Sequence, residues 1–315
     1  GGLTKIGSSL LYLLGTNTYL GGTTVNGGAI YIETDGALGN ASGGVTLNNG
    51  GRIVVGRALA SNRSLTLGSG GGTFDTGSYN LTWNGVVQGT AGLTKWGTGT
   101  LILSGTNTYT GDTAIERGSL QISSDANLGV GGRLILTNDA TLRTAAAFTI
   151  ARNVESVSGI IDTSGNDVTI SGVVSGTSLS KQGLGTLTLT GTNSYSATSI
   201  QNGTLAVGSA ANISVGRIDI DGGTLRVTGG TFALNQIVNL AATVGRIETD
   251  GGARLTLSDV RGNRLEKAGF GTLVLSGNQT YTGGTSIVGG TLAIGSDGAL
   301  GAASGGISFD GGTLQ

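Results

Sequence analysis

Two aspartates lie in matching surroundings that could support catalysis. Asp75 in "FDTG" and Asp162 in "IDTSG" each follow an apolar residue and precede a threonine. An aspartic protease needs two such segments, because its two carboxylates share one proton at about 3 Å. Here the two aspartates are 87 residues apart, and Glu248 follows after another 86. This spacing places them at one position of a long repeat, so we expect each to accept turn amides rather than to form a catalytic pair.

A second set of aspartates recurs in turn-like segments. Asp35, Asp125 and Asp297 lie in "ETDGAL", "SSDANL" and "GSDGAL". Such segments are typical of turns, because an aspartate side chain hydrogen-bonds to the backbone two residues further on. Calcium binding is the functional alternative, but calcium needs about six to eight oxygens, which single carboxylates several turns apart do not supply. We interpret these aspartates as turn residues and assign no metal ligand.

Four lysines recur at a long interval. Lys5, Lys95, Lys181 and Lys267 each precede a Gly-x-Gly segment or its equivalent. A phosphate-binding loop needs Gly-x4-Gly-Lys-Ser/Thr at the start of a helix, and the sequence has neither that motif nor a helical pattern there. The lysines are interpreted as solvated turn residues, with a regularly spaced row of charge as the alternative.

The two tryptophans are candidates for a surface contact. Trp96 occupies the place that isoleucine, glutamine and alanine hold in the other copies, which predicts an outward or turn position. We expect Trp83, Trp96 and Lys95 to be the residues that could contact a glycan or a protein. The alternative is that they are incidental surface residues. No catalytic or cofactor-binding residue is assigned.

The composition excludes several classes of function. The 315 residues include no His and no Cys, which rules out thiolate nucleophiles, disulfides and a complete serine triad. Only 11% of the residues are charged and the net charge is −1, so we expect no nucleic-acid partner and no small-molecule substrate. The absence of Pro fits a fold in which nearly every backbone N–H joins a β-ladder. Because the chain has no Met, we expect it to be a fragment or a processed product.

A long repeat positions all of these residues. Each repeated lysine is followed fourteen residues later by a tyrosine, and the copies are 90, 86 and 86 residues apart. Between them lies a pair of leucines separated by one variable residue, as in "LIL" at 101–103. Constant residues alternating with a variable one predict a strand with its leucines inward. The repeat units are approximately 3–92, 93–178, 179–264 and a partial 265–315.

A shorter period lies inside the long one. Glycine, any residue, then Leu, Ile or Phe recurs with a mean spacing of 21.6 residues. This period, with strand alternation and glycine-rich turns, predicts an all-β parallel β-helix, or β-solenoid, of about 15 coils of roughly 21–22 residues in a single domain over 1–315. A propeller with four blades is the alternative, but blades usually have about 40–50 residues.

The long repeat also resembles a known family. "LTKWGTGTLILSGTNTYTGDTAIERGSLQI" at 93–122 is similar to the autotransporter-associated β-strand repeat, or passenger-associated transport repeat. The resemblance implies a right-handed parallel β-helix in the passenger of a Gram-negative type V secretion system. It also implies export to the cell surface, and a partner in the outer-membrane β-barrel translocator domain of the same precursor.

The expected function is structural. We expect a non-enzymatic stalk that supports translocation and surface display. The alternative is an adhesin or self-association surface with a host-surface or self partner. Two further alternatives have less support, namely the stalk of a protease autotransporter and a glycan-active enzyme. The enzyme is disfavoured because lyase grooves need clustered basic residues and calcium ligands, and this chain is sparsely charged.

Overall fold

The computed structural model describes residues 1–241 and 244–315, and only the backbone at 242–243. The described chain is built from parallel β-strands and four short 3-10 helices, and it contains no α-helix. It divides into two compact units, Gly1–Ile160 and Ile161–Gln315. Each unit is a parallel β-solenoid, and the two together contain about 16 turns. The all-β solenoid predicted from the sequence is confirmed.

The first unit contains nineteen complete strands. They are β1 (Leu3–Ile6), β2 (Leu10–Leu13), β3 (Thr23–Asn26), β4 (Ala29–Ile32), β5 (Val45–Asn48), β6 (Gly51–Val55), β7 (Leu59–Ser61), β8 (Leu65–Leu67), β9 (Gly72–Asp75), β10 (Leu81–Trp83), β11 (Val87–Gly89), β12 (Leu93–Trp96), β13 (Thr100–Leu103), β14 (Thr113–Ile115), β15 (Ser119–Ile122), β16 (Leu134–Leu136), β17 (Thr141–Thr144), β18 (Phe148–Ile150) and β19 (Val154–Ser156).

The second unit continues the same pattern, after the boundary strand β20 (Gly159–Asp162). Its strands are β21 (Val168–Ile170), β22 (Val174–Gly176), β23 (Ser178–Gln182), β24 (Thr186–Leu189), β25 (Ala197–Ile200), β26 (Thr204–Val207), β27 (Ile218–Ile220), β28 (Thr224–Val227), β29 (Thr231–Leu234), β30 (Val238–Thr249), β31 (Arg254–Leu257), β32 (Val260–Ala268), β33 (Thr272–Leu275), β34 (Thr285–Ile287), β35 (Thr291–Ile294), β36 (Ile307–Phe309) and β37 (Thr313–Leu314).

The core of each unit is a set of aligned aliphatic columns. In the first unit Leu101 pairs in register with Leu120, which pairs with Leu142, and all three are fully buried. In the second unit Leu187 and Leu205 are aligned and buried in the same way. Each strand therefore buries its alternate residues against the strands before and after it, because a single coil cannot cover its own apolar face.

The repeated leucine pairs point inward, as the sequence predicts. Leu101 and Leu103 are buried, whereas the residue between them, Ile102, is half-buried on the outer face. In the first copy the middle residue is Tyr12, which is 60% exposed. The variable position of the repeat is thus the outward one.

Three of the four 3-10 helices begin at the repeated aspartates. Their bounds are η1 (Asp35–Leu38), η2 (Asp125–Leu128), η3 (Ala210–Asn212) and η4 (Asp297–Leu300). The prediction that Asp35, Asp125 and Asp297 lie in turns is therefore confirmed. None of the helices in the described chain has the length and apolar character needed to cross a membrane.

Candidate functional site

The four repeated lysines are buried, so the prediction of solvated turn residues is wrong. Lys95, Lys181 and Lys267 are 0% exposed and Lys5 is 8% exposed. The reason is the strand alternation, which extends to the end of β12. Leu93 and Lys95 face inward, whereas Thr94 and Trp96 face outward. The lysine side chain is therefore directed into the solenoid at the point where the chain turns.

Lys95 is satisfied by the backbone of the turn that it enters. Its Nζ donates to the carbonyl oxygens of Trp96 at 2.9 Å, Gly97 at 2.7 Å and Arg117 at 3.0 Å. Three acceptors match the three N–H donors of an ammonium group. The first two carbonyls belong to the lysine's own turn and the third to the next coil, so the amine joins adjacent coils.

The same arrangement recurs in the second unit. Lys181 Nζ donates to the carbonyl oxygens of Gln182, Gly183 and Asn202 at 2.9, 2.7 and 3.0 Å. Lys267 Nζ likewise donates to three carbonyl oxygens, at 2.7, 3.1 and 3.0 Å. The lysine is therefore a repeated structural part of the coil.

Glycine is required where the next coil passes over this turn. Gly118 has φ +67°, and a Cβ there would lie 2.5 Å from the Gly97 oxygen and 2.6 Å from the Gly99 oxygen. Both the left-handed backbone and the close approach exclude other residues. The glycine of "RGSL" thus allows the Arg117 carbonyl to reach the Lys95 amine.

The repeated acids lie beside the buried amines. Burial lowers the pKa of Lys95 and of Lys181 to about 8. The negative charge of Asp75 partly opposes the shift at Lys95, and that of Asp162 partly opposes the shift at Lys181. Burial likewise lowers the pKa of Lys267 to about 8, with Glu248 acting in the opposite direction. The long repeat therefore places a carboxylate near each of these three buried amines.

Two of these acids also bind their own turns. Asp75 Oδ1 accepts the Gly77 amide at 3.0 Å, and Asp162 Oδ1 accepts the Ser164 amide at 2.8 Å. The turn role predicted for both is confirmed. Glu248 differs, since its carboxylate is 3.7 Å from Arg226 and 3.9 Å from Arg246.

The repeated tyrosines form a second internal contact. Tyr109 and Tyr281 are fully buried, and their hydroxyls hydrogen-bond to threonine Oγ1 four residues on, at 2.5 Å and 2.6 Å. The third copy lacks one turn residue, so Tyr195 accepts from Thr198, three residues on, at 3.1 Å. The shortened turn is thus accommodated without loss of the buried contact.

Two arginines whose side chains are nearly inaccessible to solvent, at 1% and 8% exposed, could not be predicted from the sequence. Arg63 Nε donates to Asp35 Oδ1 at 2.9 Å, and its Nη atoms donate to five carbonyl oxygens around η1. Arg152 makes the same contact with Asp125 at 2.8 Å and donates to four carbonyl oxygens around η2. The only sequence signal is an arginine 27 or 28 residues after an aspartate that begins such a turn.

Trp83 is not available for a surface contact. Its side chain is 0% exposed and packs against Phe74, with ring centroids 4.9 Å apart. Together with the burial of Lys95, this removes two of the three residues predicted for a surface contact. Both predictions failed because strand alternation, rather than residue type, decides which side chains face inward.

Trp96 does lie on the outer face. It is half-buried, with the guanidinium of Arg117 5.0 Å from its ring centroid and that of Arg52 at 6.0 Å. Arg52 Nη1 also lies 3.3 Å from Asp75 Oδ2. The outer face at this turn therefore combines an aromatic ring with charged groups. Within the described residues, no group of three or more acidic, His or Cys side chains is placed to hold a metal ion.

Four segments match a known repeat. Residues 3–32, 93–122, 179–207 and 265–294 match the passenger-associated-transport-repeat family. The chain belongs to this family. Each passenger-associated transport repeat contains one of the inward lysines, the leucine pair and the tyrosine turn described above.

Curated proteins similar to the chain include an adhesin autotransporter and two extracellular serine proteases. The chain is 36% identical to the adhesin BmaC autotransporter of Brucella suis biovar 1 over 98% of its own length, but over only 10% of that protein. Two extracellular serine proteases of Serratia marcescens are 40% and 38% identical over 22% and 23% of the chain, and over 7% of each enzyme. The chain thus spans about a tenth or less of these relatives. No solved structure matches it.

Membership of the family gives the location. Passenger-associated transport repeats occur in the exported part of autotransporters, so this passenger segment lies outside the outer membrane at the bacterial cell surface.

Proposed function

We propose that this passenger segment is a non-enzymatic stalk that supports translocation and holds other parts of the passenger away from the cell. The observation that supports the proposal is the use of the repeated polar residues. The side chains of Lys95 and Arg63 direct all their described hydrogen bonds to carbonyl or carboxylate oxygens of the same unit. The repeat thus joins one coil to the next, which is the requirement for a stalk.

The absence of catalysis is part of the proposal. The chain has no His and no Cys. The two aspartates that resemble a protease motif each bind an amide of their own turn, which is a structural use of the carboxylate. The serine protease relatives align over less than a quarter of the chain, so they support a shared stalk more than a shared active site.

The partner of the stalk is the outer-membrane translocator domain of the same precursor. We propose the units 3–92, 93–178, 179–264 and 265–315 as its modules, since each begins near one of the matched repeats. The regular coil stacks in steps of about 4.8 Å, so the length of a stalk follows directly from its number of coils.

The stalk function can be tested by replacement in the parent autotransporter. Residues 1–315 would be removed, or exchanged for an unrelated β-solenoid with the same number of coils, and surface display would be measured with an N-terminal epitope tag. We expect the exchange to restore display and any adhesion of the parent. Normal display with lost adhesion after the exchange would contradict a purely structural role.

Adhesion is the second candidate function. It is favoured by the alignment of an adhesin autotransporter over 98% of the chain. If the segment itself adheres, beads coated with purified residues 1–315 should bind host cells or aggregate. Beads that neither bind nor aggregate would leave the stalk as the supported function.

A further inference from the structure

The outer face of the first unit contains a groove across four strands. Strands β2, β4, β6 and β9 pair in succession, and Leu10, Ala29 and Arg52 are aligned neighbours on their outer side. Val54 and Asp75 form the next outward column. These residues line a depression of about 490 Å³. Its length, over three strand intervals of about 4.8 Å, is about 14 Å.

Two tyrosines continue the second column beyond Val54, next to the residues that line the depression. Tyr12 pairs in register with Tyr31, which pairs with Val54. The two ring centroids are 5.1 Å apart with an interplanar angle of 46°. Tyr12 is 60% exposed and Tyr31 is half-buried. We call the groove with these two rings the tyrosine groove.

The second ring is held in place by polar contacts. The Tyr31 hydroxyl donates to Glu33 Oε1 at 2.9 Å, and the Glu33 carboxylate lies 3.1 Å from Arg57. The Tyr12 hydroxyl has no hydrogen-bond partner among the described residues, so it is available to a ligand. One ring is therefore pre-oriented and the other presents a free hydroxyl, which lowers the ordering cost of binding.

The far end of the groove, two strands from Tyr31, offers a donor and an acceptor side by side. Arg52 Nη1 lies 3.3 Å from Asp75 Oδ2, and the two side chains are 41% and 16% exposed. The remaining guanidinium N–H groups can donate while the carboxylate accepts. Neighbouring hydroxyls on a sugar ring present the same combination of acceptor and donor.

We infer that the tyrosine groove binds a neutral oligosaccharide. The faces of the two rings fit the apolar C–H faces of pyranose rings, and the Arg52–Asp75 pair fits their hydroxyls. Successive sugar rings of an extended chain advance by about one strand interval each, so about three rings fill the groove. A cavity of this volume is within the usual size range for small-ligand sites, about 300–1,000 Å³. This activity goes beyond the stalk function and does not depend on it.

Other ligand classes fit less well. An anionic sugar would meet the carboxylates of Asp75 and Glu33, while the charge of Arg52 is already compensated by Asp75. An apolar peptide would remove water from the Arg52–Asp75 pair without replacing its hydrogen bonds, which is costly. A ligand with many hydroxyls and no net charge avoids both costs.

The test is a binding measurement on purified residues 1–315. Isothermal titration would use cellohexaose, xylohexaose, mannohexaose and chitohexaose, with a heparin hexasaccharide as the charged comparison. We expect at least one neutral hexasaccharide to bind, and Tyr12→Ala and Tyr31→Ala each to weaken that binding by about tenfold, as expected for the loss of one stacking contact. Tyr12→Phe keeps the ring and should retain most of the affinity.

Two further variants separate binding from folding. Phe270→Ala removes an aromatic side chain that is 89% exposed in the second unit, and it should bind like the wild type. Ala29→Leu fills the floor of the groove while keeping both rings, and it should abolish binding with an unchanged urea unfolding midpoint. The inference is overturned if no neutral hexasaccharide binds, if only heparin binds, or if the tyrosine variants bind as tightly as the wild type. None of these outcomes bears on surface display in the replacement experiment, so the oligosaccharide site and the stalk function can be contradicted independently.

Discussion

The turns at Lys95 and Lys181 have the same interior and different outer faces. In the interior, the two amines donate to three carbonyl oxygens at identical distances of 2.9, 2.7 and 3.0 Å. On the outside, the Trp96 ring has two guanidinium groups within 6.0 Å of its centroid, whereas Gln182 donates a hydrogen bond to Gln201 at 2.6 Å. One backbone therefore carries two unrelated surfaces.

This difference indicates which residues of the repeat are structural. The recurring leucines, lysines and tyrosines face inward and pack or hydrogen-bond within the same or the next coil. Residues that vary face outward, where a substitution changes the surface without changing the stacking. The recurring residues thus stabilise the stacking of the coils. The variable residues are the positions at which a binding activity could differ between copies.

The largest expected effect is at an interior residue that the repeat pattern does not reveal. Arg63→Ala removes a guanidinium that is bonded to Asp35 and to five carbonyl oxygens, and its side chain is only 1% exposed. We expect a loss of about 3–5 kcal/mol in the free energy of unfolding, because the acceptors stay buried without a donor. Urea unfolding followed by circular dichroism measures this loss.

The matched control is an arginine on the outer face. Arg57 lies 3.1 Å from Glu33, but its side chain is 62% exposed. Arg57→Ala should cost less than about 1 kcal/mol, as is usual for surface ion pairs. Similar losses for the two variants would show that burial of the guanidinium does not matter.

Lysine replacement compares the two turns directly. Lys95→Met and Lys181→Met keep the aliphatic stem but leave three carbonyl oxygens without the amine. We expect each variant to lose about 2–3 kcal/mol in unfolding free energy, since each loses charge-assisted hydrogen bonds. The two losses should agree within about 0.5 kcal/mol, because the interiors are equivalent. If only one of the two variants lost stability, the two interiors would not be equivalent. The outer face of the unaffected turn would then have to contribute to the stability of that turn.

Tyrosine replacement has a smaller expected effect. Tyr109→Phe removes a buried hydroxyl that bonds to Thr113 at 2.5 Å. We expect a loss of about 1 kcal/mol, the usual net value of a neutral hydrogen bond. Tyr79→Phe is the control, since Tyr79 is 44% exposed, and its unfolding midpoint should not change.

The pH dependence gives the smallest expected effect. Burial lowers the pKa of Lys95 to about 8 from the usual 10.5. Between these values the unfolded chain holds a proton that the folded chain has released, so this lysine makes the unfolding free energy rise with pH. The stability advantage of the wild type over Lys95→Met should therefore grow by roughly 1 kcal/mol between pH 7 and pH 10. This increase is well below the one that the whole pKa shift would give, because the three carbonyl oxygens favour the charged amine. A constant or shrinking difference in urea unfolding at the two pH values would contradict the assignment.

The fold followed from the sequence because its signal is periodic. The leucine pairs and the glycine spacing indicate stacked strands, and alternation correctly placed Leu101 and Leu103 inward. The same alternation also places Lys95 inward, but a charged residue is rarely buried, so its residue type suggested solvent. The turn carbonyls that satisfy its amine are set by backbone geometry, which residue spacing does not show.

The remaining sites were not predicted, because they depend on contacts between residues that are far apart in the sequence. Arg63 and Asp35 are 28 residues apart in the sequence and come together only after one further coil has formed. The tyrosine groove likewise depends on strand register, because Tyr12, Tyr31 and Asp75 belong to three strands. Neither composition nor local sequence pattern predicts which residues of neighbouring strands are paired. Only the strand pairing in the structure gives this register.

The central claim is that the interior of the repeat determines stability and the outer face does not. Exchanging the outward residues of the two turns, in the double variant Trp96→Gln and Gln182→Trp, tests it most directly. Urea unfolding of this variant should give a free energy within about 0.5 kcal/mol of the wild type, the usual range for surface substitutions. A loss of about 2 kcal/mol or more, comparable with the lysine variants, would contradict the claim.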